Sequence, residues 1–170
     1  TSGSMGSWPG WPNDWDDYYN LLPDVQELLT ENGGIIDQIF AGEDNVNSVA
    51  YVAFAGTGET ETSNWYSATS NIEGYYGLKS RINGLEATGG TNWTYAMQQA
   101  SDLLDRKAND GNEKVVIFLS DGTPTYTMGY YEWHGDRYYG QTGDGNTTYN
   151  SYYNDAAKEV NDSASLSNAQ

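Results

Sequence analysis

The chain has 170 residues, 24 of them acidic and 7 basic, for a formal net charge of −17, and it contains no cysteine. That length suits one domain, and the charge argues against nucleic-acid and anionic-membrane partners, which need clustered Lys and Arg. Without thiols there is neither a disulfide framework nor a thiolate metal site, so oxygen is the plentiful ligand type.

Leu, Ile, Val and Phe supply only 26 residues, yet 6 Trp and 15 Tyr offer large areas to bury in their place. The composition therefore reads as a folded but polar domain. No run of 18 apolar residues and no charged-then-apolar start is present. Neither a membrane span nor an export signal is expected within the sequence, and any export signal is expected elsewhere.

Residues 1–7 (TSGSMGS) set two serines around a glycine. This serves either as a flexible linker or as a pair of hydroxyls aimed at a hard cation. Residues 8–17 (WPGWPNDWDD) hold two prolines, a glycine and three tryptophans, which predicts an ordered loop. Leu21, Leu22, Val25, Leu28 and Leu29 share one helical face, with Pro23 tolerated near the first turn. Asn32-Gly33-Gly34 interrupts the pattern, and Ile35, Ile36, Ile39 and Phe40 resume it before Gly42. One broken helix or two short ones is expected.

SVAYVAF (48–54) is apolar at nearly every position and stops near Gly56, as a strand buried on both faces does. A weaker helical pattern runs from Ile72 through Leu78, Ile82 and Leu85, diluted by Gly74, Gly77 and Gly84. The stretch 92–107 predicts the clearest helix, with Ala96, Ala100, Leu103 and Leu104 on one face and Arg106 and Lys107 at the end that favours cations. KVVIFLSDG (114–122) predicts a second fully buried strand. Residues 123–148, rich in Tyr, Gly, Thr and Asp, show no usable period and read as a long aromatic loop insertion. A last helix is expected from 151 to 161, with Tyr153, Ala156, Ala157 and Val160 on one side.

Apolar strands alternating with helices predict a doubly wound α/β domain over 1–170, with a mostly parallel sheet and helices on both faces. In such sheets ligands collect beyond the carboxyl ends of the strands, where Ser120, Asp121 and Gly122 fall.

Three pieces carry a resemblance: Ser-Gly-Ser at 2–4, TGGT at 88–91 opening a helix, and LSDGTPTY at 119–126 closing a strand. Together they resemble the von Willebrand factor A domain, in the version found in Gram-positive pilus-tip and surface adhesins. The resemblance implies a metal-ion-dependent adhesion site formed by Ser2, Ser4, Thr91 and Asp121. It implies a divalent cation there, Mg²⁺ first, with Mn²⁺ or Ca²⁺ as alternatives. The family's first strand, whose final Asp would precede Thr1, and its last strand fall outside the sequence. Either the sequence is a fragment of a longer chain, truncated at both ends of the domain, or other polypeptide segments supply those strands, and an apolar run finishing in Asp is expected directly upstream.

Each residue also has a plainer reading. Thr91 can cap the helix that follows it, and Asp121 can form a turn before Gly122. Asp14, Asp16, Asp17, Asp136 and Asp144 lack the spacing of an EF-hand and read as solvated acids. His134 reads as a surface residue. Sequons occur at Asn92, Asn146 and Asn161, and no glycan is expected on Asn92, where it would crowd the site. The aromatic residues Trp8, Trp11, Trp15, Tyr126, Tyr130, Tyr131, Trp133, Tyr138 and Tyr139 either form a partner-binding surface, with Trp8, Trp11, Tyr126, Tyr130, Tyr131 and Trp133 foremost, or fold back over a thin aliphatic core.

The expected function is metal-dependent adhesion or protein binding by an extracellular bacterial surface or pilus protein, without enzymatic activity. The expected partner is a host or neighbouring-cell surface protein or glycoprotein. Two alternatives are a structural pilus or wall module with an idle metal site, and a metal-independent glycan-binding module that uses the Tyr and Trp loops.

Overall fold

The computed structural model of the protein describes residues 21–41, 47–67, 72–107, 111–120 and 122–169. The expectations for the 8–17 loop, and for Ser2, Ser4, Trp8, Trp11 and Asp121, lie outside the described residues.

The first helical stretch divides into α1 (Leu21–Thr30) and α2 (Ile35–Phe40). Gly33 makes the break at φ 82°, a left-handed conformation that favours glycine. Next come four two-residue strands, β1 (Ser48–Val49), β2 (Val52–Ala53), β3 (Glu61–Thr62) and β4 (Tyr66–Ser67), followed by α3 (Ile72–Asn83) and α4 (Trp93–Arg106). The chain ends in two long strands, β5 (Tyr126–Trp133) and β6 (Asp136–Gly143), then α5 (Asn150–Asp162) and α6 (Ala164–Ser167). Among the described residues no helix is long and apolar enough to cross a membrane.

Helices α1 to α5 form where the sequence pattern places them, because each has an apolar stripe with a surface to meet, whereas α6 falls in a Ser- and Asn-rich stretch where no helix is expected. Ile36 and Phe40 of α2 close on Leu78 and Ile82 of α3, and Leu29, Val49, Tyr51, Tyr66 and Tyr75 pack around them. Burying each such aliphatic side chain contributes roughly 1.5–3 kcal/mol. Gln26 of α1 donates through Nε2 to the carbonyls of Ile82 and Leu85 at 2.8 and 3.0 Å, satisfying acceptors at the open end of α3. Lys79 pairs with Asp37 and sits over the Tyr75 ring, which joins α2 to α3 on the polar side of the same contact. On the other side of the molecule α5 and α6 pack on α4, burying Leu103, Leu104, Tyr152, Ala156 and Leu166.

The strands depart from expectation. The 48–54 segment is not a buried strand in a parallel sheet. It folds back antiparallel on 61–67, through β1 with β4 and β2 with β3. Between the two pairings Ser63, Asn64 and Trp65 face only Ala50 and Tyr51, so the register slips by one residue as in a β-bulge. Ser63 Oγ closes the gap by accepting the Tyr51 N–H at 2.8 Å.

The 114–120 segment is not a strand at all among the described residues. It forms no ladder, and Val115 and Ile117 remain 60% and 58% exposed. Strand propensity needs a lateral partner to satisfy the backbone, and none pairs with this segment here. Phe118, although 39% exposed, makes ring contacts, stacked 5.4 Å from Phe54 and edge-on to Trp93.

The third correction concerns 123–148. What reads as a loop without period contains the longest strands of the chain, β5 and β6, paired in register from Tyr126↔Gly143 to Trp133↔Asp136. His134 and Gly135 make the turn with φ 52° and 88°, the two positive values of a tight type I′ hairpin. Every strand ladder among the described residues is antiparallel, and the parallel contact is an isolated bridge between Asn92 and Tyr126.

Candidate functional site

Thr91 lies in the loop that enters α4. Two glycines shape that loop. Gly89 adopts φ 66°, and a methyl group on Gly90 would stand 2.5 Å from the Tyr126 ring and 2.7 Å from Thr125 Oγ1. Glycine is needed at 90 because the loop lies directly against β5. Thr91 is 3% exposed. Its N–H donates to Thr125 Oγ1 at 2.8 Å, and its carbonyl accepts from the N–H groups of Thr125 and Tyr126 at 2.9 and 3.0 Å. These bonds all run through the Thr91 backbone and leave its hydroxyl uncommitted to other described residues.

Capping falls to the next residue. Asn92 Oδ1 accepts the Tyr95 N–H at 2.9 Å, so Asn92 is the N-cap of α4 and the capping role foreseen as an alternative for Thr91 is filled. Asn92 is fully buried and its N–H donates to the Ala55 carbonyl at 2.9 Å. Its Nδ2 donates to Gln141 Oε1 at 3.2 Å. A glycan on Asn92 would have to displace that bond and open the core beside it, so the sequon at 92–94 is structural.

Gln141 ties three segments together. Its Oε1 accepts from Asn92 Nδ2 and, at 2.7 Å, from the Thr57 N–H. The loop after β2 is thereby fixed beside the start of α4. Glu59 closes that loop, and its carboxylate lies 2.6 Å from where a Gly56 methyl would stand and 3.8 Å from where a Gly89 methyl would stand. An acid therefore occupies the same rim as Thr91. Sequence reasoning missed Glu59, although GTGE directly after an apolar strand was the available signal.

Asp121 is outside the described residues, but its sequence neighbours are tied down. Ser120 Oγ accepts from Trp93 Nε1 at 3.3 Å, and Ser120 and Gly122 exchange side-chain and backbone bonds. Trp93 is two residues past Thr91, so Ser120 is held at the same end of α4. Ser2 and Ser4 lie outside the described residues. Among the described residues no three His, Asp or Glu side chains converge. The oxygens left near Thr91 are its own hydroxyl and the Glu59 carboxylate, both of the hard kind that Mg²⁺ takes, since Asn92 Oδ1 and Gln141 Oε1 already accept hydrogen bonds.

Of the aromatics expected to meet a partner, Tyr126 packs under the Gly90 loop, whereas Tyr130, Tyr131 and Trp133 stand exposed on the hairpin with Tyr138 and Tyr139. Tyr131 stacks on Tyr138 at 5.7 Å, and Tyr130 meets Tyr139 edge-on at 5.3 Å. These side chains do not fold back over the core. The base of the hairpin is held by a buried relay in which Thr94 and Thr127 hydroxyls meet at 2.9 Å and Thr127 donates to Asp155.

The family model of the von Willebrand factor type A domain matches residues 1–123, a span that includes the Thr91 loop and ends three residues before β5 begins. No curated protein and no solved structure matches the chain.

Proposed function

Because the chain belongs to the von Willebrand factor type A domain family, an α/β family whose members commonly bind proteins with the help of a metal ion, we propose that it is a metal-ion-dependent adhesion domain that captures an acidic group of a partner. The observation that carries this reading is the division of labour between neighbours. Asn92 caps α4, which spares the Thr91 hydroxyl, and backbone bonds hold Thr91 rigidly against Thr125 and Tyr126.

Thr91, Ser2, Ser4 and Asp121 are the proposed ligands, and Glu59 is close enough to the Gly89 turn to add a carboxylate, directly or through water. A divalent cation held mainly by neutral hydroxyls supplies an under-compensated positive charge, to which a partner's carboxylate is drawn. The chain's own contribution at Thr91 is rigidity: that loop is pinned by its backbone before any partner arrives. The role is binding rather than catalysis, since the one histidine, His134, sits in the exposed turn of the hairpin.

The LSDGTPTY stretch and the aromatic insertion after it support a place on a bacterial surface or pilus, of the Gram-positive kind, outside the cell. The partner is then a host or neighbouring-cell surface protein or glycoprotein, or further segments of the same longer protein. Titration calorimetry of Mg²⁺ and Mn²⁺ into the chain and its Asp121→Ala variant tests the reading. The variant is expected to lose at least about tenfold in affinity. Matching isotherms would overturn the metal site, and partner capture that survives chelation would leave the structural-module alternative.

A further inference from the structure

The hairpin presents an open strand edge. β5 packs on α4 and α5, whereas β6 reaches the rest of the molecule through the side chains of Tyr139, bonded to Gln98, and of Gln141. The two strands form a sheet with no third member among the described residues. The register shows which backbone groups face outward. The Tyr126 N–H leaves the ladder to bond the Thr91 carbonyl, so Tyr126↔Gly143 is a pair without mutual hydrogen bonds. Pairs alternate in an antiparallel ladder. Met128↔Gln141, Tyr130↔Tyr139 and Glu132↔Arg137 are then of the same kind, and Arg137, Tyr139 and Gln141 turn their N–H and C=O groups away from β5.

Protected edges carry a proline, a bulge, an inward charge or an uncompensated lysine. β6 (DRYYGQTG) has none of these, and its one cation, Arg137, is compensated by Glu132 at 3.1 Å. Aromatic side chains flank the edge on both faces, with Tyr138 and Tyr131 on one and Tyr139 and Tyr130 on the other.

We infer that β6 accepts a third strand from a partner, an extended polypeptide segment carrying Lys or Arg. A row of N–H and C=O groups at peptide spacing matches another strand and not a sugar. Charge selects which strand. Two copies of a chain with net charge −17 repel each other, which disfavours self-pairing, whereas a basic segment is attracted. Its alternate side chains would fall beside Tyr138 and Tyr139, where cations gain from the ring faces. This contact does not depend on the metal reading, and its test is run in chelator.

The probe is a blocked synthetic peptide alternating Lys with Val and Thr, long enough to pair with about eight residues, beside a counterpart with Glu in place of Lys. Fluorescence titration of the full chain is expected to show the Lys peptide binding at least about tenfold tighter than the Glu peptide at low salt, with the gap closing as salt rises. Amide hydrogen exchange at Arg137, Tyr139 and Gln141 is expected to slow with bound peptide. Arg137→Pro, which deletes an outward N–H, is expected to weaken binding at least about tenfold, while Arg137→Ala is not. Binding without that protection, equal affinity for the Glu peptide, or the same protection arising from self-association would each overturn the proposal. The exchange measurement on the unmodified chain decides even if Arg137→Pro misfolds.

Discussion

Asn92 Nδ2 and Gln141 Oε1 meet at 3.2 Å across 49 positions of sequence, and this bond locks the start of α4 to the base of the hairpin. The same Gln141 oxygen holds the Thr57 N–H, so one side chain aligns the Glu59 loop, the Thr91 loop and β6. Replacing Gln141 with Leu removes the oxygen acceptor for both donors, leaving Asn92 Nδ2 only the weak contact to Met128 Sδ at 3.7 Å and the part-buried Thr57 N–H without this bond. The expected cost is about 2–4 kcal/mol in equilibrium urea unfolding, with a matching loss of divalent-ion affinity because the rim loops separate.

Thr91→Val is the complementary change. It keeps the shape of the side chain and every backbone bond of the loop while removing only the hydroxyl. Stability is expected to stay within about 0.5 kcal/mol, whereas Mg²⁺ affinity falls in calorimetry. A large loss of stability would mean that the hydroxyl serves the fold instead.

Gly90→Ala tests the close approach to β5. The added methyl would stand 2.5 Å from the Tyr126 ring, which is boxed in by Gly143 and Gly145 and has little room to move. Thermal unfolding is expected to show a loss of about 1–3 kcal/mol, and Gly58→Ala, where nothing lies within 4 Å, serves as the mild comparison.

Acid sensitivity has a defined source at Asp37. Hydrogen bonds from Lys79, from Tyr75 and from the Gly33 N–H hold its carboxyl down from 3.8 to about 2. The folded chain therefore binds this proton less readily than the unfolded chain. The stabilisation is complete above pH 3.8 and disappears as pH falls through about 2. After allowance for solvent reaching the pair, the loss over that window is on the order of 1 kcal/mol. Thermal melts of Asp37→Asn are expected to lack that component.

Along the 114–120 segment, which pairs with no strand among the described residues, neighbouring residues are expected to behave differently. Phe118→Ala removes contacts with Phe54 and Trp93 and is expected to cost about 1–2 kcal/mol in chemical denaturation. Ile117→Lys, at an exposed position, is expected to leave stability nearly unchanged and to reduce aggregation measured by light scattering.

The amino-acid sequence was sufficient for helices α1 to α5, because their evidence is local, but not for the short α6. The 3.6-residue spacing of Leu22, Ile36, Leu78, Ala96, Leu103 and Ala156 needs no knowledge of distant segments, and those residues are buried as the pattern requires. The Ser-Gly-Ser, Gly-Gly-Thr and Ser-Asp-Gly signals likewise sufficed to name the family that the match over 1–123 bears out.

Strand pairing was decided only by tertiary structure, since a strand is defined by its neighbour. The apolar runs 48–54 and 114–120 look alike in sequence, yet one folds back on 61–67 and the other pairs with no strand among the described residues. The hairpin at 126–143 was hidden for a related reason: tyrosines on both faces erase the alternation of apolar and polar residues that reveals a half-buried strand. The Thr91 rim followed the same logic. Its hydroxyl was visible in sequence, but whether that hydroxyl was spared depended on Asn92 taking the cap, and the carboxylate of Glu59 joined the rim through a fold-back that no local pattern encodes.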